Sequence, residues 1–170
     1  MLSPKIQDAL NSQLNAEFFS SYLYLSMAAH FERSSLPGMA TWMRFQAQEE
    51  LGHALKFLNF INDRNGCVLL AEIEGPRTEW SSSLEAFEEA YAHEQKISGL
   101  INDLANLARE ERDHATETFL QWFITEQVEE EASVSTVVDQ LKLVGDNGVA
   151  LFMVDGQLGQ RVAPTMGAQP

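Results

Sequence analysis

One cysteine, Cys67, is present in 170 residues, so no disulfide can form within the chain. Positive charge is scarce: 11 lysines and arginines stand against 25 acidic residues, for a formal net charge of −14. A surface that grips nucleic-acid phosphates needs clustered basic side chains, so nucleic acid is excluded as a partner and cations are favoured. No run of about 18 apolar residues occurs, which excludes a membrane-spanning helix. The opening MLSPKIQDALNSQ has no basic segment followed by an apolar one, so no secretory leader and a reducing, cytoplasmic setting are expected. Proline is rare as well. Pro4, Pro37, Pro76, Pro164 and Pro170 leave two very long stretches free of the strongest helix breaker, the first running from 38 to 75.

What is present fits one all-α domain, with 45% hydrophobic residues able to fill one sizeable core. Ser3 before Pro4 reads as a helix start, and the first helix runs to about Arg33. After SSLPG a second helix spans Pro37 to Arg64, stopped by Asn65 and Gly66. Ser82 and Glu85 form a capping-box pattern that opens a third helix reaching about Arg112; a fourth runs from Asp113 to Val144 and ends in GDNG. The connection CVLLAEIEGPRTEWSS is too long for a tight turn, while the other two joints are short. Two hairpins joined by a long crossover follow, in an up-down-down-up four-helix bundle with helices about 40 Å long. GVALFMVDGQLG reads as a short C-terminal fifth helix weakened by Gly156. The domain is expected to span 1–160, with 161–170 a loose tail.

The apolar stripes of the four helices share one irregularity. They read Leu10, Leu14, Glu17, Ser21, Tyr24, Ala28 on the first helix, and Met39, Met43, Gln46, Glu50, His53, Phe57, Phe60 on the second. The third gives Leu84, Phe87, Tyr91, Glu94, Ser98, Ile101, and the fourth Leu120, Phe123, Gln127, Glu130, Val134, Val137, Leu141. Each is apolar at its ends and acidic near its middle. A lone mid-stripe glutamate is ordinarily solvated, but mid-helix core positions of a bundle meet, so Glu17, Glu50, Glu94 and Glu130 should converge with His53. A repeat supports this: Glu17 to Glu50 and Glu94 to Gln127 are both separations of 33 residues. Gathered inside a protein, four carboxylates must either neutralise or acquire cations. Two divalent cations balance four glutamates, and oxygen and imidazole donors without thiolate favour iron or manganese over structural zinc. Gln127, neutral where the first hairpin has a carboxylate, makes the centre asymmetric. One metal falls to Glu17, Glu50 and His53, the other, more weakly, to Glu50, Glu94 and Glu130.

Over nearly its whole length the sequence resembles the non-haem bacterial ferritins. The resemblance is carried by NAEFFSSYLYLSMA, LPGMATWMRFQAQEELGHALKF, HEQKIS, FLQWFITEQVEEE and ALFMVDGQLG. It implies a di-iron ferroxidase centre in each subunit, oxidising Fe(II) with dioxygen or hydrogen peroxide, and a shell of 24 subunits that stores ferric mineral. It also implies a third iron site at Glu49, Glu126, Glu129 and Glu130. Tyr24 resembles a tyrosine beside the centre, either an electron donor or a core aromatic whose hydroxyl bonds a glutamate; Trp122 reads as core. Haem-binding relatives carry a methionine where Leu51 stands and a second Glu-x-x-His where this chain has Gln127 and Glu130, so no haem is expected. His93 points about 100° from Glu94 and, with His30 and His114, reads as a surface or capping residue. A non-storing di-iron oxidase or peroxidase, and a metal-free interaction bundle, are the rival readings.

Overall fold

Ser3 accepts a hydrogen bond from the Ile6 amide and Pro4 fills the first turn, so α1 begins there and runs Pro4–Arg33. In this computed structural model, which describes residues 2–163, α2 spans Pro37–Asp63, α3 Ser83–Glu110, α4 His114–Val144 and α5 Gly148–Leu158. Residues 164–170 of the expected tail lie outside the described residues. Three helices end alike: Leu36 N–H reaches back to Phe31 O, Gly66 to Ile61 O and Asp113 to Ala108 O. The residue before each donor, Ser35, Asn65 or Arg112, has a positive φ of 58°, 53° or 56°. These are left-handed helix stops, and at the second the reversal falls on Asn65 rather than on Gly66. A Cβ on Gly66 would meet the movable end of Leu2 at 2.8 Å and Ile61 O at 3.0 Å, so the position is tight.

Hydrogen bonds along the crossover define the topology. Just after α2, Cys67 and Leu69 are tied to Gln7 and Asn11 near the start of α1. Just before α3, Arg77 and Thr78 accept from Ser26 and Arg33 near its end. The crossover therefore travels the length of the bundle and α3 runs parallel to α2, as an up-down-down-up bundle requires.

The core divides in two. At one end Phe31, Met39, Trp42, Phe87, Val138 and Val154 cluster; at the other Leu10, Phe57, Ile61, Ile101, Leu120 and Phe123 do so. Between them lies a belt of buried polar groups: Glu17, Ser20, Gln46, Glu50, His53, Glu94, Gln127 and Glu130. On α3 the buried face is rotated from the expected stripe, since Ala90, His93 and Ile97 are buried while Tyr91 and Ser98 sit at its margin. The Ser82–Glu85 pattern also differs in detail. Ser82 accepts from Glu85 N–H as expected, but the Glu85 carboxylate turns back to Ser81 instead of Ser82.

Leu36 gives α2 no side-chain cap; the cap comes from α5, where buried Asp155 accepts from Met39 N–H at 2.8 Å. Gly38 admits this approach, because a Cβ on it would lie 1.8 Å from Asp155 O. The fifth helix continues through Gly156 and is fastened to the start of α2. No described helix is long and apolar enough to cross a membrane.

Candidate metal centre

The belt is built by helical spacing. Gln13 sits one turn before Glu17 and donates to its Oε1 at 2.7 Å, leaving Oε2 buried with no partner among the described residues. On α2, Glu50 and His53 stand three apart, with His53 Nδ1 3.2 Å from Glu50 Oε2, and Glu50 Oε1 is likewise unpaired. Glu17, Glu50 and His53 each present a ligand atom within 4.8 Å of the others, and all three are buried. Glu94 on α3 accepts from the Tyr24 hydroxyl and, at 3.2 Å, from Gln127 Nε2. Glu130 on α4 accepts from Gln46 Nε2 at 2.8 Å, while Gln46 Oε1 is the third buried atom without a partner among the described residues.

Burial first, then the neighbouring carboxylates, push these acids up from the ordinary 4.5. Glu17 reaches about 8, with Glu50 the largest charge acting on it. Glu130 reaches about 7, with Glu94 in that role. Burial likewise raises Glu50, against Glu94 and Glu130, and raises Glu94 despite its hydrogen bonds from Tyr24 and Gln127. Tyr24 is held well above its usual value by burial and by Glu94, so its hydroxyl keeps its proton and donates. Such a group of carboxylates cannot ionise together without cations, and the unpaired oxygens of Glu17 and Glu50 supply donor atoms that hard or borderline divalent ions take. The residues at Glu17, Glu50 and His53 therefore fit a bound metal ion.

A second set shares members with the first. His53, Glu126 and Glu130 present ligand atoms within 4.8 Å of one another, half-buried Glu126 lying toward the surface. Glu49 is half-buried and ion-paired with Arg161, Glu129 is exposed, and neither belongs to either set among the described residues. Trp122, expected in the core, is instead 37% exposed; its ring lies 5.4 Å from that of His53, and Lys56 Nζ sits 3.5 Å from its centroid. His93, expected at the surface or at a cap, is buried with Nε2 2.7 Å from Ser20 Oγ. Burial, then Lys96, lowers it to about 4, so it is neutral.

Sequence reasoning passed over Gln13 as a partner of Glu17, although a four-residue separation on one helix face marks it. Gln46 lies on the expected stripe but has no such signal, because its partner Glu130 is 84 positions away. Arg161 carries no local signal, because its partner is 112 positions away.

A family model described as a ferritin-like domain matches residues 7–144. The bacterial non-heme ferritin of Bacteroides fragilis is 45% identical over 161 residues, covering 95% of this chain and 100% of that one. That of Staphylococcus saprophyticus is 41% identical over 95% of this chain and 96% of its own. Among solved structures, an open pore ferritin from the hyperthermophilic archaeon Archaeoglobus fulgidus matches with a TM-score of 0.94 at 47% identity, over 95% of this chain and 100% of that one. A closed form of the same ferritin, engineered by site-directed mutagenesis, matches with a TM-score of 0.95 at 46% identity, over 96% and 100%.

Proposed function

The chain belongs to the ferritin-like family, among the non-haem bacterial ferritins, and from that premise we propose that it oxidises Fe(II) at the buried belt and stores the ferric product. The single observation carrying this is the pair of buried, unpaired carboxylate oxygens on Glu17 and Glu50 beside His53. Glu17, Glu50 and His53 hold one Fe(II), and Glu50, Glu94 and Glu130 the other, with Gln127 alongside. A third iron takes Glu49, Glu126, Glu129 and Glu130. Each Fe(II) gives up one electron, and dioxygen or hydrogen peroxide accepts it.

The chain's own contribution is placement and charge. The Gln13 amide holds one oxygen of Glu17 and so turns the other toward the cation. Gln46 does the same for Glu130, while Tyr24 and Gln127 hold both oxygens of Glu94, one of which a second cation must draw away. Burial excludes water, and incoming cations release the protons that the crowded carboxylates otherwise retain.

Storage requires a closed container. Leu143, Val149, Phe152 and Met153 near the C-terminal end, and Tyr22 and Leu70 on the α1 and crossover side, are large apolar side chains at least half exposed in the single chain. Surfaces of this kind mark subunit contacts. We assign them to a shell of 24 copies, working in the cytoplasm, and sedimentation of the native protein tests it. A particle of about half a megadalton is expected; a dimer would instead identify a non-storing oxidase or peroxidase. Stopped-flow oxidation of Fe(II) should show a fast phase saturating at two to three irons per subunit, and a protein with no fast phase would refute the ferroxidase assignment.

A further inference from the structure

Arg161 lies three residues beyond α5, and its N–H closes the last turn on Leu158 O at 3.2 Å. Its side chain leaves that helix and crosses to α2. The guanidinium carbon stands 4.8 Å from the centroid of the buried Trp42 indole, Nη1 donates to Trp42 O at 3.5 Å, and Nη2 pairs with Glu49 Oε2. The two paired side chains are 22% and 24% exposed, so water screens the pair only in part. A flat cation stacked on an indole and forked between a carbonyl and a carboxylate is a held position, since each contact restricts a different rotation. Glu49 is adjacent to Glu50, and the other charges acting on it are His53 and Glu126, both members of the outer set. A protein cation thus already occupies Glu49, the carboxylate that α2 offers beside that set.

We propose that Arg161 is the resident counterion of Glu49 and competes with a metal ion for that carboxylate, so that recruiting Glu49 to an outer ion and anchoring the segment after α5 oppose one another. The inference rests on the reading of the outer residues as a third cation site. A metal ion that takes Glu49 becomes a second cation beside the guanidinium on Oε2, and the repulsion between the two favours release of Arg161. By linkage, whatever the ion pair contributes to holding Arg161 is subtracted from the affinity of the outer ion, and loading that ion loosens Arg161 by the same factor. Arg161 is then a positioning residue that keeps the outer affinity below the inner and ties iron loading to the chain after α5.

Zn²⁺, which is redox-inert, tests this on the assembled, metal-free protein by calorimetry. In Arg161→Gln the tight zinc at Glu17, Glu50 and His53 should be unchanged, while the outer zinc binds roughly 3- to 10-fold tighter; Arg161→Lys should fall between. A spin label at Val162→Cys, in a Cys67→Ser background, should gain mobility as the outer zinc binds, and should be mobile without zinc in Glu49→Gln. An outer zinc whose affinity is unchanged or weakened in Arg161→Gln, or that binds without freeing the label, overturns the competition and leaves the third site standing. If no variant binds zinc beyond the inner pair, the third site falls and the competition with it.

Discussion

The α1–α2 and α3–α4 hairpins place their polar residues at equal heights, yet treat their carboxylates in opposite ways. In the first, Glu17 and Glu50 each keep a buried oxygen without a partner among the described residues, and His53 stands beside them. In the second, both oxygens of Glu94 are hydrogen-bonded, by Tyr24 and Gln127, and Glu130 is bonded by Gln46. Tyr24 and Gln46 belong to the first hairpin, so it supplies donors to the second while leaving one oxygen free on each of its own two glutamates. The motif difference explains the result. Where α2 has Glu-x-x-His, α4 has Gln-x-x-Glu, and an amide placed against Glu94 satisfies it in a way a carboxylate could not. One duplicated scaffold thereby offers a ready metal position on one side and, on the other, a position that must first give up hydrogen bonds.

The largest effect should come from disabling the ready side. His53→Ala removes a ligand that both sets share, and the fast phase of Fe(II) oxidation should fall by more than about 100-fold, beyond what loss of a residue behind a ligand costs. Near wild-type stopped-flow rates would end the assignment. Next is pH. Glu17 at about 8 and Glu130 at about 7 stand above the ordinary 4.5, so in that window the metal-free folded chain holds more protons than the unfolded chain. Its stability is greatest below about 4.5 with respect to these two groups and declines as pH rises toward 8. Bound divalent metal should abolish that slope, which denaturant midpoints at several pH values with and without Zn²⁺ will show.

A smaller change sharpens the comparison. Gln127→His replaces the amide on Glu94 with a ligand and should tighten the second cation by roughly 10-fold in calorimetry; an unchanged second affinity would mean that the asymmetry lies elsewhere. The smallest expected effect concerns how the hairpins begin. Ser82 and Asp113 cap α3 and α4 from within their own hairpin, whereas α2 depends on Asp155 of α5. Asp155→Ala should therefore cost about 1 kcal/mol of stability, while leaving the cation affinities intact.

Much of this was legible because bundles translate spacing into position. The helix ends follow Pro4, Pro37, Ser82 and Asn65, whose effects are local, and the buried acids follow from acidic interruptions at matching heights. His93 escaped because a helix face about 100° wide can bury two adjacent residues, and α3 turns so that both His93 and Glu94 lie inside. Trp122 misled for the reverse reason: aromatic character predicts burial, but its ring lies at the surface under Lys56.

Periodicity, caps and the 33-residue repeat are properties of neighbours along the chain, and they alone determine that this protein is an all-α bundle with acids gathered at its middle. Which donors bond Glu94 and Glu130, which cation already sits on Glu49, and which helix caps α2 were decided by contacts spanning 33 to 119 positions, such as Gln127 to Glu94, Met39 to Asp155 and Trp42 to Arg161. A hydrogen bond is set within an ångström by how helices pack, and packing depends on every side chain between them at once, a quantity that no local pattern contains.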